Sequence, residues 1–242
     1  EWLRLVRTRR MLALGCIYVF FGATAAPMSR YLSEIVRQFG GGVQVVVPTQ
    51  TPVDAFANYT SSANQLGLLV YVLVISSTLA FDAQHEMAVF LRTRVPVLRR
   101  ILLPKYVVNV AAGGGAFVLG VLATWYGTVV LLGSVDPLAV LEGTLAGVLY
   151  LAFIGALTAA FASRLHSVVT TAMATLATAV LLGLLGTAAA LGKWLPSHLL
   201  GALTELPAGV PFSTYVASIA STITASAVLL WLSSRWGSAS EL

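Results

Sequence analysis

Residues 81–106 read FDAQHEMAVFLRTRVPVLRRILLPKY. Five of the chain's fourteen lysines and arginines fall in this stretch: Arg92, Arg94, Arg99, Arg100 and Lys105. On both sides the chain is almost wholly apolar. A basic break between two long apolar runs reads as a loop joining two membrane spans, on the face of the membrane that collects positive charge. That reading sets both the class of the chain and its orientation.

Composition agrees. The 242 residues are 58% hydrophobic and 10% charged, with a mean hydropathy of +0.88. A soluble domain carries about 25% charged residues, so bilayer is the expected solvent. Crossing the hydrocarbon core takes about 20 apolar residues, and lipid leaves no partner for an unpaired backbone group, so runs of that length are expected to be helices. Six such runs occur, at 11–36, 64–82, 106–133, 138–163, 167–191 and 212–234. The expected fold is therefore all-α, a single six-span transmembrane domain over residues 1–242. A signal peptide is the alternative for the first run, but Pro27-Met28-Ser29-Arg30 makes a poor cleavage site. Cys16 lies inside that run and, as the single cysteine, has no partner for an internal disulfide.

Lysine and arginine placement gives the orientation. With the N-terminus inside, the inner segments hold Arg4, Arg7, Arg9, Arg10, the five cations of 81–106, Arg164 and Arg235; the outer side keeps Arg30, Arg37 and Lys193. Both termini are then cytoplasmic. Trp2, Trp231 and Trp236 suit the inner interface; Trp125, Tyr126 and Trp194 suit the outer one. The preponderance of arginine over lysine fits a bacterial or archaeal plasma membrane protein from a GC-rich genome.

Two outer segments are long. Residues 40–63, GGGVQVVVPTQTPVDAFANYTSSA, read as a loop rich in Gly, Pro, Ser and Thr. Residues 192–211, GKWLPSHLLGALTELPAGVP, are too short and too broken by proline to span; two short helices dipping into the outer leaflet are expected. No phosphate-binding GxxxxGK[ST], HExxH or GxSxG pattern occurs. Gly113-Gly114-Gly115 lies within a span and reads as a close-packing site or kink. The three histidines, His85, His166 and His198, are divided between the two sides by the topology. The middles of the spans carry no ionisable pair of the kind proton-driven pumps bury. A chain with neither nucleotide nor proton machinery would take its energy from a partner.

Within 81–106, Asp82 and Glu86 stand at helical spacing where acidic groups favour a helix start. Met87, Phe90 and Leu91 form one apolar face. Arg92 and Arg94 follow, and Pro96 ends the helix. The result is a short amphipathic helix on the inner membrane face, followed by a basic re-entry through Arg99, Arg100 and Lys105. An ordinary cytoplasmic loop with positive-inside anchors is the other reading of these residues.

This segment resembles the loop after the second helix of ABC-2-type transporter permeases. Glu86, Leu91, Pro96, Arg99 and Lys105 match that loop in order; Met87-Ala88 replace its usual Gly-Thr pair. The similarity extends along the chain. EWLRLVRTRR at 1–10 resembles the family's basic interface helix, six spans with both termini inside match its topology, and 192–211 stands where the family carries a short re-entrant helical pair.

The resemblance implies a coupling helix, built from Asp82, Glu86, Met87, Phe90, Leu91, Arg92, Arg94, Pro96 and Arg99, that docks on a separate cytoplasmic ATPase. Two ATPases would carry ATP and Mg2+, with no cofactor on this chain. A second permease subunit, identical or paralogous, would complete the transporter, with membrane lipids around it and no nucleic acid. Most such permeases export; the substrate class expected from apolar spans dotted with hydroxyls is amphipathic, drug-like, lipid-like or peptide. An ATPase-docking accessory or sensory protein that moves nothing, and a secondary transporter, are the alternatives.

Small residues let helices approach in lipid. Gly143 and Gly147 form GxxxG on the fourth span, and Ala172, Ala179, Gly183 and Gly186 give the fifth a small-residue face. In the family the fifth helix lines the permease–permease interface, which would place these four residues there. Arg30 and Glu34, at i and i+4, either flank the outer mouth of a translocation path or form an interfacial pair. The sixth span is rich in hydroxyls, Ser218 and Thr222 among them; these line a path or bond back to their own helix.

Overall fold

In a computed structural model, residues 10–39, 51–79, 99–165, 167–186 and 192–239 are described. Every element among them is helical. Long helices are α1 Arg10–Phe39, α2 Pro52–Leu79, α3 Arg99–Leu131, α4 Pro137–Ala162, α5 Val168–Gly186 and α7 Val216–Ala239, the last led in by a 3-10 turn at Phe212–Tyr215. Between α5 and α7 come 3-10 turns at Gly192–Trp194 and Pro196–Gly201 and the four-residue α6, Ala202–Glu205. Six of these helices are long and apolar enough to cross a membrane, which makes the chain a multi-pass membrane protein.

Helix α4 forms the centre. Of its most apolar window 67% is buried, against 28% for α1, 22% for α5 and 17% for α7. Its sequence accounts for this: Ala and Gly recur on every side of the helix, so neighbours can pack all round it. Asp136 opens it, its carboxylate accepting the Leu138 N–H at 3.0 Å, and Pro137 occupies the first turn, where its missing N–H costs nothing. Packed around α4 are α2, α3, α5, α7 and the short turns, while α1 lies chiefly along α3.

The second span differs from the expectation. Helix begins at Pro52, so residues 52–62 of the expected outer loop are helical. The start signal is local. The Asp54 carboxylate accepts hydrogen bonds from the Thr51 N–H at 2.6 Å and the Thr51 hydroxyl at 2.8 Å, and Pro52 sits at the first helical position. Polar SSANQ at 61–65 breaks the hydropathy but not the helix; the chain passes through it as a π turn, Ala63–Gly67, with the Leu68 N–H bonded to the Ala63 carbonyl. Asn58-Tyr59-Thr60 is helical too, and Tyr59 is wholly buried. The third helix likewise starts at Arg99 rather than 106, with Pro104 inside it.

Three tyrosines tie the bundle together through main-chain carbonyls. Tyr59 donates from α2 to Phe117 on α3 at 2.9 Å, Tyr71 from α2 to Leu151 on α4 at 3.1 Å, and Tyr106 from α3 to Ala152 on α4 at 2.9 Å. A helical carbonyl has a second lone pair to offer, so each phenol is satisfied without breaking the helix it meets. Glycines supply the room. A methyl group on Gly113 would overlap the Tyr71 ring, and one on Gly114 would press on Val148, whereas Gly115 faces open space. The triple glycine is thus a packing site for α2 and α4.

Candidate functional site

The expected coupling residues Asp82, Glu86, Met87, Phe90, Leu91, Arg92, Arg94 and Pro96 lie outside the described residues, as do residues 1–9. Arg99 is the first residue of α3. Lys105, nearly two turns on, is buried, and the Asn109 amide donates to its carbonyl at 2.7 Å.

Arg30 is exposed and donates from Nη1 to the Leu131 carbonyl at 2.5 Å. Leu131 ends α3, so a cation meets the negative end of a helix where the carbonyls lack intrahelical partners. Glu34 follows on the next turn of α1. Ser218 and Thr222 are fully buried within the chain. Thr222 bonds back to the Ser218 carbonyl at 2.5 Å. Ser218 does something else. Its hydroxyl donates to the Lys193 carbonyl at 2.8 Å and sits 3.0 Å from Nδ1 of His198, while Ser221 donates to the Trp194 carbonyl at 2.6 Å. The His198 ring also stacks on Tyr215, with ring centroids 4.7 Å apart. Tyr215 in turn donates to Glu205 at 2.6 Å. Residues 192–205 are thereby clasped to α7 by hydroxyls, and His198 and Glu205 gain a role that their spacing in sequence does not signal.

On α5, Ala172 and Ala179 are buried against the chain's own bundle, together with Thr171 and Thr175. A side chain on Gly186 would run into the Ser197 hydroxyl, 2.7 Å away, while Gly183 faces open space. The outward face of α5 is instead Val169, Met173, Val180, Leu181 and Leu184, all more than half exposed. Gly143 and Gly147 are also spent within the chain: Gly143 admits the Leu203 backbone, with Cα 2.7 Å from where a methyl would stand, and Gly147 admits the Phe117 ring at 2.6 Å. Of the aromatics assigned to the outer interface, Tyr126 and Trp194 are exposed, but Trp125 packs against the core with its indole N–H buried. Trp231 is exposed and carries the Arg235 guanidinium 4.5 Å above its ring.

A narrow cleft inside the bundle is lined by residues of α1, α2, α3 and α4 and of the short turns before α7. Tyr18, Thr60, Asn64, Phe117, Tyr150 and Leu200 are among the lining side chains, and none of the lining residues is Asp, Glu, Lys, Arg or His. The hydroxyls of Tyr18 and Thr60 are buried with no hydrogen-bond partner among the described residues. Tyr18 is held from two sides: its ring meets Phe117 edge-on at 5.9 Å, and a side chain on Gly67 would lie 2.8 Å from it. Gly67 closes the π turn, and Ala63 and Asn64 of the same turn line the cleft. Sequence reading missed this site because Tyr18, Thr60 and Tyr150 stand on three helices, Tyr18 and Tyr150 each reading singly as an ordinary span residue and Thr60 as part of the outer loop.

Among the described residues no three His, Cys, Asp or Glu side chains converge on a possible metal position. Compared with models of known protein families, with curated proteins and with solved structures, the chain matches none.

Proposed function

We propose that this chain is the transmembrane permease subunit of an ATP-driven exporter of the ABC-2 type. It takes work from two cytoplasmic ATPase subunits through the 81–105 region and moves a small amphipathic, drug-like, lipid-like or peptide substrate across the plasma membrane. The observation that carries this reading is the order of elements. Apolar helices are interrupted once by a basic inner segment and once by short helical turns packed between α4 and α7, just before the last span. Apolar outward faces on α1, α5 and α7 leave surface for lipid and for a second permease, identical or paralogous.

The test is reconstitution of the full chain in lipid vesicles with an ABC ATPase that co-purifies with it. ATP-dependent movement of a fluorescent amphiphile, lost when the ATPase is omitted, supports the exporter. An ATPase that co-purifies while nothing moves indicates an accessory or sensing role, and movement without ATP indicates a secondary transporter.

A further inference from the structure

We propose that His198 is a pH-responsive latch: on gaining a proton it fastens residues 192–206 more tightly to α7. The latch holds whatever the chain transports. The segment lies between α4 and α7, and Gly143 of α4 admits its backbone at Leu203. Charge asymmetry assigns this end of the bundle to the outside.

The hydrogen bonds fix which nitrogen of the ring carries a proton. Ser218 has one hydroxyl hydrogen, and it goes to the Lys193 carbonyl at 2.8 Å. Toward His198 Nδ1, 3.0 Å away, the same oxygen can only accept, so Nδ1 carries a hydrogen. Neutral imidazole meets that demand in one of its two tautomers. The imidazolium meets it always, and its bond to Ser218 is charge-assisted and therefore stronger. Stacking pulls the same way. The His198 and Tyr215 rings lie 23° from parallel with centroids 4.7 Å apart, which sets a charged ring over an aromatic face. The Tyr215 hydroxyl donates to the Glu205 carboxylate, so an anion ends the same chain of contacts.

Around the turn at 196–201, α5 carries no titratable side chain, α4 carries Glu142 and Tyr150 with Asp136 at its start, and α7 carries Arg235 near its opposite end. Lys193 opposes a positive His198, but its side chain is exposed and screened by water. His198 is half-buried, so solvent relieves part of the cost of charging it. Histidine is the side chain whose charge ordinarily changes between about pH 5 and 8.

The experiment uses the full chain in lipid nanodiscs, where both faces meet the buffer. Amide hydrogen exchange is followed by mass spectrometry at about pH 8 and about pH 5.5, either side of the histidine range, and corrected for the intrinsic effect of pH on exchange. Protection of peptides covering 192–206 is expected to rise about 2- to 10-fold on acidification, the range of one cation–π contact. His198→Asn keeps a donor near the Nδ1 position but cannot titrate, and should abolish the rise. His85→Asn combined with His166→Asn should leave it intact. Ser218→Ala, which removes the acceptor, should shrink it. Circular dichroism and gel filtration separate a lost latch from a lost fold; where His198→Asn does not fold, Ser218→Ala decides. Protection that is unchanged or falls on acidification, or that rises equally along the whole chain, overturns the proposal. So does a rise that the folded deciding variant retains in full, or one that the His85/His166 variant loses.

Discussion

Gly22 of α1 and Gly120 of α3 meet backbone against backbone: a methyl group on Gly22 would overlap the Gly120 carbonyl oxygen. A methyl on Gly120 would in turn reach the Tyr18 carbonyl at 2.6 Å and collide with the Tyr59 hydroxyl. Two turns further along α3, Gly127 faces Ala26, whose Cβ lies 3.1 Å from the position of an added methyl. In lipid there is no hydrophobic drive between helices, so close contact of this kind helps hold α1 to the bundle.

Gly22→Leu should therefore force α1 away from α3 at a cost of at least about 1–3 kcal/mol, the usual penalty of overpacking. Thermal unfolding in detergent checks it, with Gly183→Leu as the reference, since Gly183 faces open space. Equal midpoints for the two variants would show that the α1–α3 contact carries no stability.

Ser218→Ala removes the donor to the Lys193 carbonyl and the partner of His198. The expected loss is about 1 kcal/mol, with faster amide hydrogen exchange confined to 192–201. Thr224→Ala deletes only an exposed bond back to Ala220 and should change neither quantity. Exchange that rises equally in both variants would dissolve the clasp.

Gly113→Ala and Tyr71→Ala should couple. Alone, the added methyl overlaps the Tyr71 ring; alone, loss of the ring opens a cavity at the centre of the bundle and costs about 3–5 kcal/mol by analogy with other aromatic truncations. Together the methyl enters the vacated space, so the double variant should be more stable than the sum of the two single losses predicts, by about 0.5–3 kcal/mol. Additivity would mean that the two residues do not press on one another.

Charge asymmetry predicts that residue 134 is outside and residue 167 inside. Both positions are exposed turns between helices. In a Cys16→Ser background, Ser134→Cys should react with a membrane-impermeant maleimide on intact cells, and Ser167→Cys only after lysis. The reverse pattern would invert the topology and move 81–106 to the outside, away from any cytoplasmic ATPase.

On the proposed function, Phe90→Glu or Leu91→Pro should leave the chain in the membrane at normal levels and lower ATP-dependent transport at least about tenfold, because a charge or a break on the apolar face spoils a helix-in-groove contact. ATPase activity that no longer responds to substrate would accompany it. Wild-type transport by both variants would remove the coupling role from this segment.

Hydropathy alone determined that the elements of the described residues are helices and how many of them could cross a membrane, because a backbone in lipid must satisfy its own hydrogen bonds and only length and apolarity are needed to say where. Most helix boundaries followed to within a few residues. The starts of the second and third helices did not: Thr51–Asp54 lies upstream of polar residues that a hydropathy reading takes as loop, and Arg99–Lys105 is basic helix that it leaves out of the span.

Partners were another matter. A small residue states that something can come close, but not what. Gly143 and Gly147 turned out to admit the Leu203 backbone and the Phe117 ring, and Ala172 and Ala179 face their own bundle. A hydroxyl states that a hydrogen bond is available, but not where it goes: Thr222 turns back on its own helix, whereas Ser218 reaches Lys193 and His198. These choices depend on which helix faces are brought together from distant parts of the chain, and that is settled by packing the whole bundle at once rather than by any local stretch of it.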